Sequence, residues 1–169
     1  EEVLGKKKGV FSFCMCPGGF IVPSATEQGE VVVNGMSPSR RDSKYSNSGI
    51  VVEVGLEDTK ELAKHGELAG LVFQAEIEKR ACNIAGNTQL APAQRLVDFV
   101  KNKHSNDLPS TSYQPGIIST KLTDVLPDYI GKALQKGFVS FGNKMKGYFT
   151  NDAIIVGVES RTSSPVRIP

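Results

Sequence analysis

The stretch from Phe11 to Val22, "FSFCMCPGGFIV", decides how the rest of the chain is read. Two short runs of aromatic, β-branched and sulfur-bearing side chains flank Pro17-Gly18-Gly19, the pattern of two strands joined by a turn. Proline and two glycines suit a tight reversal. They also let another backbone, or a flat ligand, approach closely. Residues two apart on a strand share a face, so Cys14 and Cys16 can present both sulfurs to one cavity. The plain reading is a pair of small buried hydrophobes. The chemical alternative is a thiol-redox or metal-binding module built on Cys14 and Cys16. A disulfide over so short a span is strained, and a closed zinc site needs about four ligands. Only Cys82, His65 and His104 remain as further donors, at no recognisable spacing, so no metal is expected.

Outward from that stretch the chain stays β-rich. "FIVPSA" (20–25), "VVVNGM" (31–36) and "GIVVEV" (49–54) are short, apolar and bounded by Gly, Pro, Ser and Asn. Residues 37–48, "SPSRRDSKYSNS", make a polar loop too long for a simple hairpin turn. Its Arg40, Arg41, Asn47 and Ser48 suit either an anion or plain solvation. Helical spacing then takes over: Phe73, Ile77, Ala81 and Ile84 recur within 66–86, with Gly86 as the stop. In "APAQRLVDFVKNK" (91–103) Pro92 suits the first turn of a second helix. From Pro127 a third carries Ile130, Ala133, Leu134, Phe138 and Phe141 on one side. "DAIIVGVESR" (152–161) and "SPVRI" (164–168) return to strand. The expected class is α+β: a mixed or antiparallel sheet or partial barrel, with a helical lobe inserted between N- and C-terminal strands. Residues 1–169 form one domain, with 1–56 and 151–169 β-rich and 57–150 mainly helical. Strands from both ends can then join one sheet.

Composition narrows the function. A formal net charge of +2 and 7% aromatic residues give little basis for binding nucleic acid. Lys6, Lys7 and Lys8, the only basic run, read as solvated surface. No apolar run approaches a membrane span. Three cysteines, two nearly adjacent, favour a reducing cytoplasmic compartment over a secreted disulfide framework. There is no G-x-G-x-x-G, no phosphate loop, no G-x-S-x-G and no H-E-x-x-H. "ESRTSSPVRI" (159–168) gathers an arginine and three hydroxyl residues, which serve either an ordinary turn or a ligand edge. Both ends read as cut from a longer chain, and these residues alone do not compose a self-sufficient enzyme.

Four stretches taken in order carry a wider likeness: "FSFCMCPGGFIVPSA", "VVVNGMSPSRRDSKYSNSGIVVEV", "APAQRLVDFV" and "GVESRTSSPVRIP", with "PSTSYQPGI" and "LTDVLPDYI" between them. Together they resemble a family of bacterial FAD-dependent, NAD-utilising dehydrogenases. The resemblance implies a fragment: the central, inserted, substrate-side domain of a larger cytoplasmic flavoprotein. FAD in that parent is bound mostly by segments absent here, NAD(P) is a further cofactor, and no cofactor binds this fragment tightly. The partner it implies is the FAD-binding domain of the same parent chain, with a small-molecule substrate and neither nucleic acid nor membrane. Gly18, Gly19, Arg161, Thr162, Ser163 and Ser164 would then face the flavin. Asn34, Met36, Arg40 and Asn47 would line the substrate side, and Cys14 and Cys16 would be the reactive candidates. The competing functions are the thiol-redox or metal-binding module and a non-catalytic protein-interaction domain.

Overall fold

A computed structural model of the chain describes residues 1–162, 164 and 166. Strands β1 (Glu2–Val3) and β2 (Lys6–Lys7) form a hairpin whose turn, Leu4-Gly5, has positive φ at both positions. β3 (Val10–Pro17) pairs antiparallel with β6 (Ser46–Val52), and β4 (Phe20–Pro23) with β5 (Val33–Met36). A 3₁₀ stretch, Leu56–Leu68, then leads into helix α1 (Ala69–Ile84). Next come β7 (Ala91–Arg95), α2 (Leu96–Val100), β8 (Ile117–Ser119), α3 (Leu122–Val125), α4 (Asp128–Lys144) and β9 (Ile154–Val156). The class is α+β. Among the described residues the strands form four small sheets and no closed barrel.

Local chemistry explains most of these elements. Helix α1 buries Ile77, Ala81 and Cys82 along one stripe. It stops where Gly86 turns to φ +72° and the Asn87 amide donates back to the Cys82 carbonyl at 2.9 Å. Helix α4 buries Ile130, Ala133, Leu134 and Phe138, with Asp128 in its first turn and Lys144 in its last, each suited to the helix dipole. At Gly137 a side chain would meet Val10 Cγ1 at 2.6 Å, so the bare helix surface there lets β3 lie against α4. Between these elements Phe99 and Phe138 pack edge to face at 6.0 Å, with Leu122 and Val125 fully buried beside them.

Three sequence expectations change. Pro92 does not open a helix; it lies inside β7, the central strand of the sheet ordered β8-β7-β9. The residues from Ala91 to Gln94 are all buried, and a short run covered on both faces lacks the alternation that marks a strand. Ala91 and Ala93 bond towards β8. The Pro92 carbonyl accepts the Gly157 amide at 2.9 Å on the other edge, and the N–H that proline lacks belongs to that same edge. Second, among the described residues the strands of the two ends do not share a sheet. β9 pairs with β7, and among the described residues the backbone bond between the ends is Val33 amide to Val158 carbonyl at 2.9 Å. The stretch 57–150 thus carries β7 and β8 as well as helices, while the expected strand "SPVRI" falls largely outside the described residues. Third, Lys8 is not solvated. Its side chain is buried, ion-paired with Asp58, 3.4 Å from Glu57, and 5.3 Å from the ring centre of Tyr129. Lys6 and Lys7 are exposed.

Candidate functional site

A cleft of about 1060 Å³ opens between β5–β6, α1, α4 and the segment running from β9 to Ser160, a size at the upper end of small-molecule sites. Its floor is apolar: Val33, Ile50, Phe73, Ile77, Leu134 and Phe138. Its polar groups are mostly uncharged amides and hydroxyls, among them Asn34, Asn47, Ser48, Gln74 and Tyr148. Four carboxylates line it, those of Glu53, Glu67, Asp152 and Glu159. Among the described residues no Lys, Arg, His or Cys does. Exposed Phe11, Met15, Val54 and Leu56 also line it, which places an apolar rim at its mouth.

The residues expected to act together divide. Asn34, Asn47, Thr162 and Ser164 line the cleft. Asn47 is positioned by β6. Its Nδ2 donates to the Phe20 carbonyl at 3.1 Å, while its buried Oδ1 has no hydrogen-bond partner. Met36 and Arg40 are exposed and lie outside the lining. Ser163 lies outside the described residues. At Gly18 an added Cβ would sit 1.9 Å from the Arg41 carbonyl oxygen, and at Gly19 2.5 Å from that of Met36. The close approach these glycines allow is therefore taken by the chain's own backbone, at the end of β5 and in the loop after it, which Ser43 ties down by donating to the Gly19 carbonyl at 2.9 Å.

Arg161 is held by acids of the chain itself. Its guanidinium donates to both Glu78 oxygens, at 3.1 and 2.7 Å, to Glu30 at 2.9 Å and to Thr26 at 2.6 Å. Glu30 and Glu78 are buried, and the Ser160 hydroxyl also donates to Glu78. The hydrogen bonds to Glu78 hold the guanidinium above its usual pKa against partial burial, helped by the charges of Glu78 and Glu30. This fork straps the residues after β9 onto α1 and the β4–β5 connection.

Cys14 and Cys16 do come together, but not as two buried hydrophobes. The β3–β6 register shifts between Phe13 and Cys16, and Cys14 takes φ +49° at that irregularity. Cys16 is buried while Cys14 is exposed, with the sulfurs 3.8 Å apart. The hydrogen bond with Cys16 pushes the Cys14 thiol up, and burial and the nearby Glu159 push the same way. A reactive thiol needs the opposite setting. Among the described residues no group of three or more His, Cys, Asp or Glu is placed to hold a metal ion, and no helix is long and apolar enough to cross a membrane.

Glu159 is the group that the sequence reading passed over, because "ESRTSSPVRI" reads locally as a turn. It is half-buried and lies on β6 where Gly49 has no side chain: a Cβ there would be 2.7 Å from Glu159 Oε2. No described residue donates a hydrogen bond to its carboxylate, and burial raises its pKa above the usual carboxylate range. The only advance signal was an acid placed directly after an apolar strand.

Against known proteins, residues 2–162 match a family described as "FAD-dependent protein, C-terminal domain-like". An uncharacterised protein of Clostridium beijerinckii is 44% identical over 164 residues, which cover 96% of this chain. The chain spans 30% of the length of that relative.

Proposed function

The chain belongs to the family of FAD-dependent protein C-terminal-like domains, and on that premise we propose that it is the substrate-side domain of an FAD-dependent oxidoreductase. The observation that carries the reading is the cleft: apolar floor, uncharged donors, an apolar rim and no described cation. Such a lining suits the uncharged ring end of FAD or an apolar substrate beside it. It does not suit a pyrophosphate, which needs basic side chains or a glycine-rich helix start. In this reading the pyrophosphate is held by the remainder of a longer parent, in which this domain is a central insertion. Asn34, Asn47 and Thr162 supply polar groups in the space that the ring's polar edge would enter. When bound, the flavin supplies hydride chemistry. The chain excludes water with its apolar floor, orients the bound molecule with the Asn34 and Asn47 amides, and keeps the Glu159 carboxyl facing it. The rim of Phe11, Met15, Val54 and Leu56 is the surface that the FAD-binding part of the parent would cover. NAD(P) as the second cofactor and a cytoplasmic location complete the proposal. Three free cysteines are compatible with that location.

The test is flavin content. The parent should purify yellow and release FAD on denaturation, while this chain alone should retain none. Asn47→Ala in the parent should weaken flavin or substrate binding without changing its melting temperature much. Tight stoichiometric FAD on the isolated chain would contradict the division of labour. The raised Cys14 thiol gives the competing thiol-redox reading no support.

A further inference from the structure

Resting on the substrate-side reading, we infer that the cleft takes an apolar amine, and that Glu159 is the carboxylate which receives its protonated nitrogen. Three observations converge on this. All four ionisable acids or bases of ordinary strength in the described lining are carboxylates, and no lysine, arginine or histidine competes with an incoming cation. Glu53, Glu67 and Asp152 are exposed and keep their water, whereas Glu159 is half-buried at the end of β9. Finally, the Glu159 carboxylate has no described donor and rests over Gly49, while Arg161, two residues on in the chain, is already forked onto Glu78 and Glu30. A carboxylate partly stripped of water gains most from a cation that replaces that water, and an anionic ligand meets only repulsion. The floor of Ile50, Phe73, Leu134 and Phe138 then accepts the apolar body. An aryl or branched-alkyl amine meets both demands. A carboxylate or phosphate ester meets only the second.

The chain contains no tryptophan, so naphthalene fluorescence can be followed directly. Three probes of one shape separate the possibilities: 1-naphthylmethylamine, 1-naphthylmethanol and 1-naphthoate, titrated into this chain at pH 7 in low salt. The amine should bind about tenfold more tightly than the alcohol, with the naphthoate weakest, the shift expected of one partly desolvated charge pair. Glu159→Gln should bring amine and alcohol to within about threefold of each other, a residue of roughly 0.7 kcal/mol. Asp152→Asn should leave the order unchanged. Equal binding of amine and alcohol by the unaltered chain overturns the inference, whatever the variants do. So does a preference for naphthoate, failure of all three probes to bind, or an amine preference that survives in Glu159→Gln. No flavin enters this experiment. A colourless parent would refute the flavoprotein reading and leave the amine preference standing, and the reverse outcome would do the opposite.

Discussion

At Gly18 the left-handed backbone and the Arg41 carbonyl leave no room for any side chain, so Gly18→Ala combines strain with a backbone clash. It should lower stability by about 2 kcal/mol or more, seen as a shifted urea midpoint at unchanged m-value. Arg161→Ala leaves Glu30 and Glu78 buried beside each other without their shared cation. A loss of about 3 kcal/mol is expected, and Arg161→Lys should restore little, because an ammonium cannot fork onto both Glu78 oxygens. Cys14 should react slowly with iodoacetamide at neutral pH compared with an unstructured cysteine, and Cys16→Ala should speed it by removing the hydrogen bond that holds the thiol protonated. Legibility at this scale was uneven. The proline-glycine turn was plain from residue types, but whether glycines 18 and 19 admit a ligand or a loop depends on which backbone arrives there. Those partners, Arg41 and Met36, lie more than fifteen residues away in sequence.

Between elements, the junction of the β1–β2 hairpin with the 3₁₀ stretch turns on Lys8 and Asp58. Burial alone would raise the Asp58 carboxyl, yet hydrogen bonds from Lys8 and from the Gly55 amide at 2.8 Å, together with the Lys8 charge, hold it below its usual value. Lys8 shows the mirror case: burial would lower it, and the bonds and charges of Asp58 and Glu57 raise it. A depressed carboxylate contributes stability that is complete above its unfolded value of about 3.9 and is lost as pH falls through the folded one. The raised lysine contributes below about 10.4 and its share is lost as pH climbs through the folded value. Asp58→Asn should therefore flatten the acid limb of urea midpoint against pH between 5 and 2 (roughly the span of carboxylate titration) while lowering the plateau. None of this was visible in "KKK", because three lysines in a row look alike until a hairpin turns the third one inward. The misreading of Pro92 has a similar origin. A buried strand of small residues and the first turn of a helix share their composition, and only the strands on either side distinguish them.

For the molecule as a whole, the class and the long helices α1 and α4 were legible because helical periodicity survives in a single sequence. The cleft was not. Its walls come from segments as far apart as Val33, Phe73, Phe138 and Glu159, and no local pattern announces such a meeting. Those same separations tie occupancy to the fold. A chain that has lost any one of these segments from its place has lost the cleft, so a molecule seated there binds the native state and not the unfolded one. Mass action then favours the native state by about 2.7 kcal/mol when free ligand stands at a hundred times its dissociation constant. A melting curve thus becomes a readout of chemistry. A library of small amines, alcohols and acids screened by the rise in melting temperature would report which class the interior of this domain accepts.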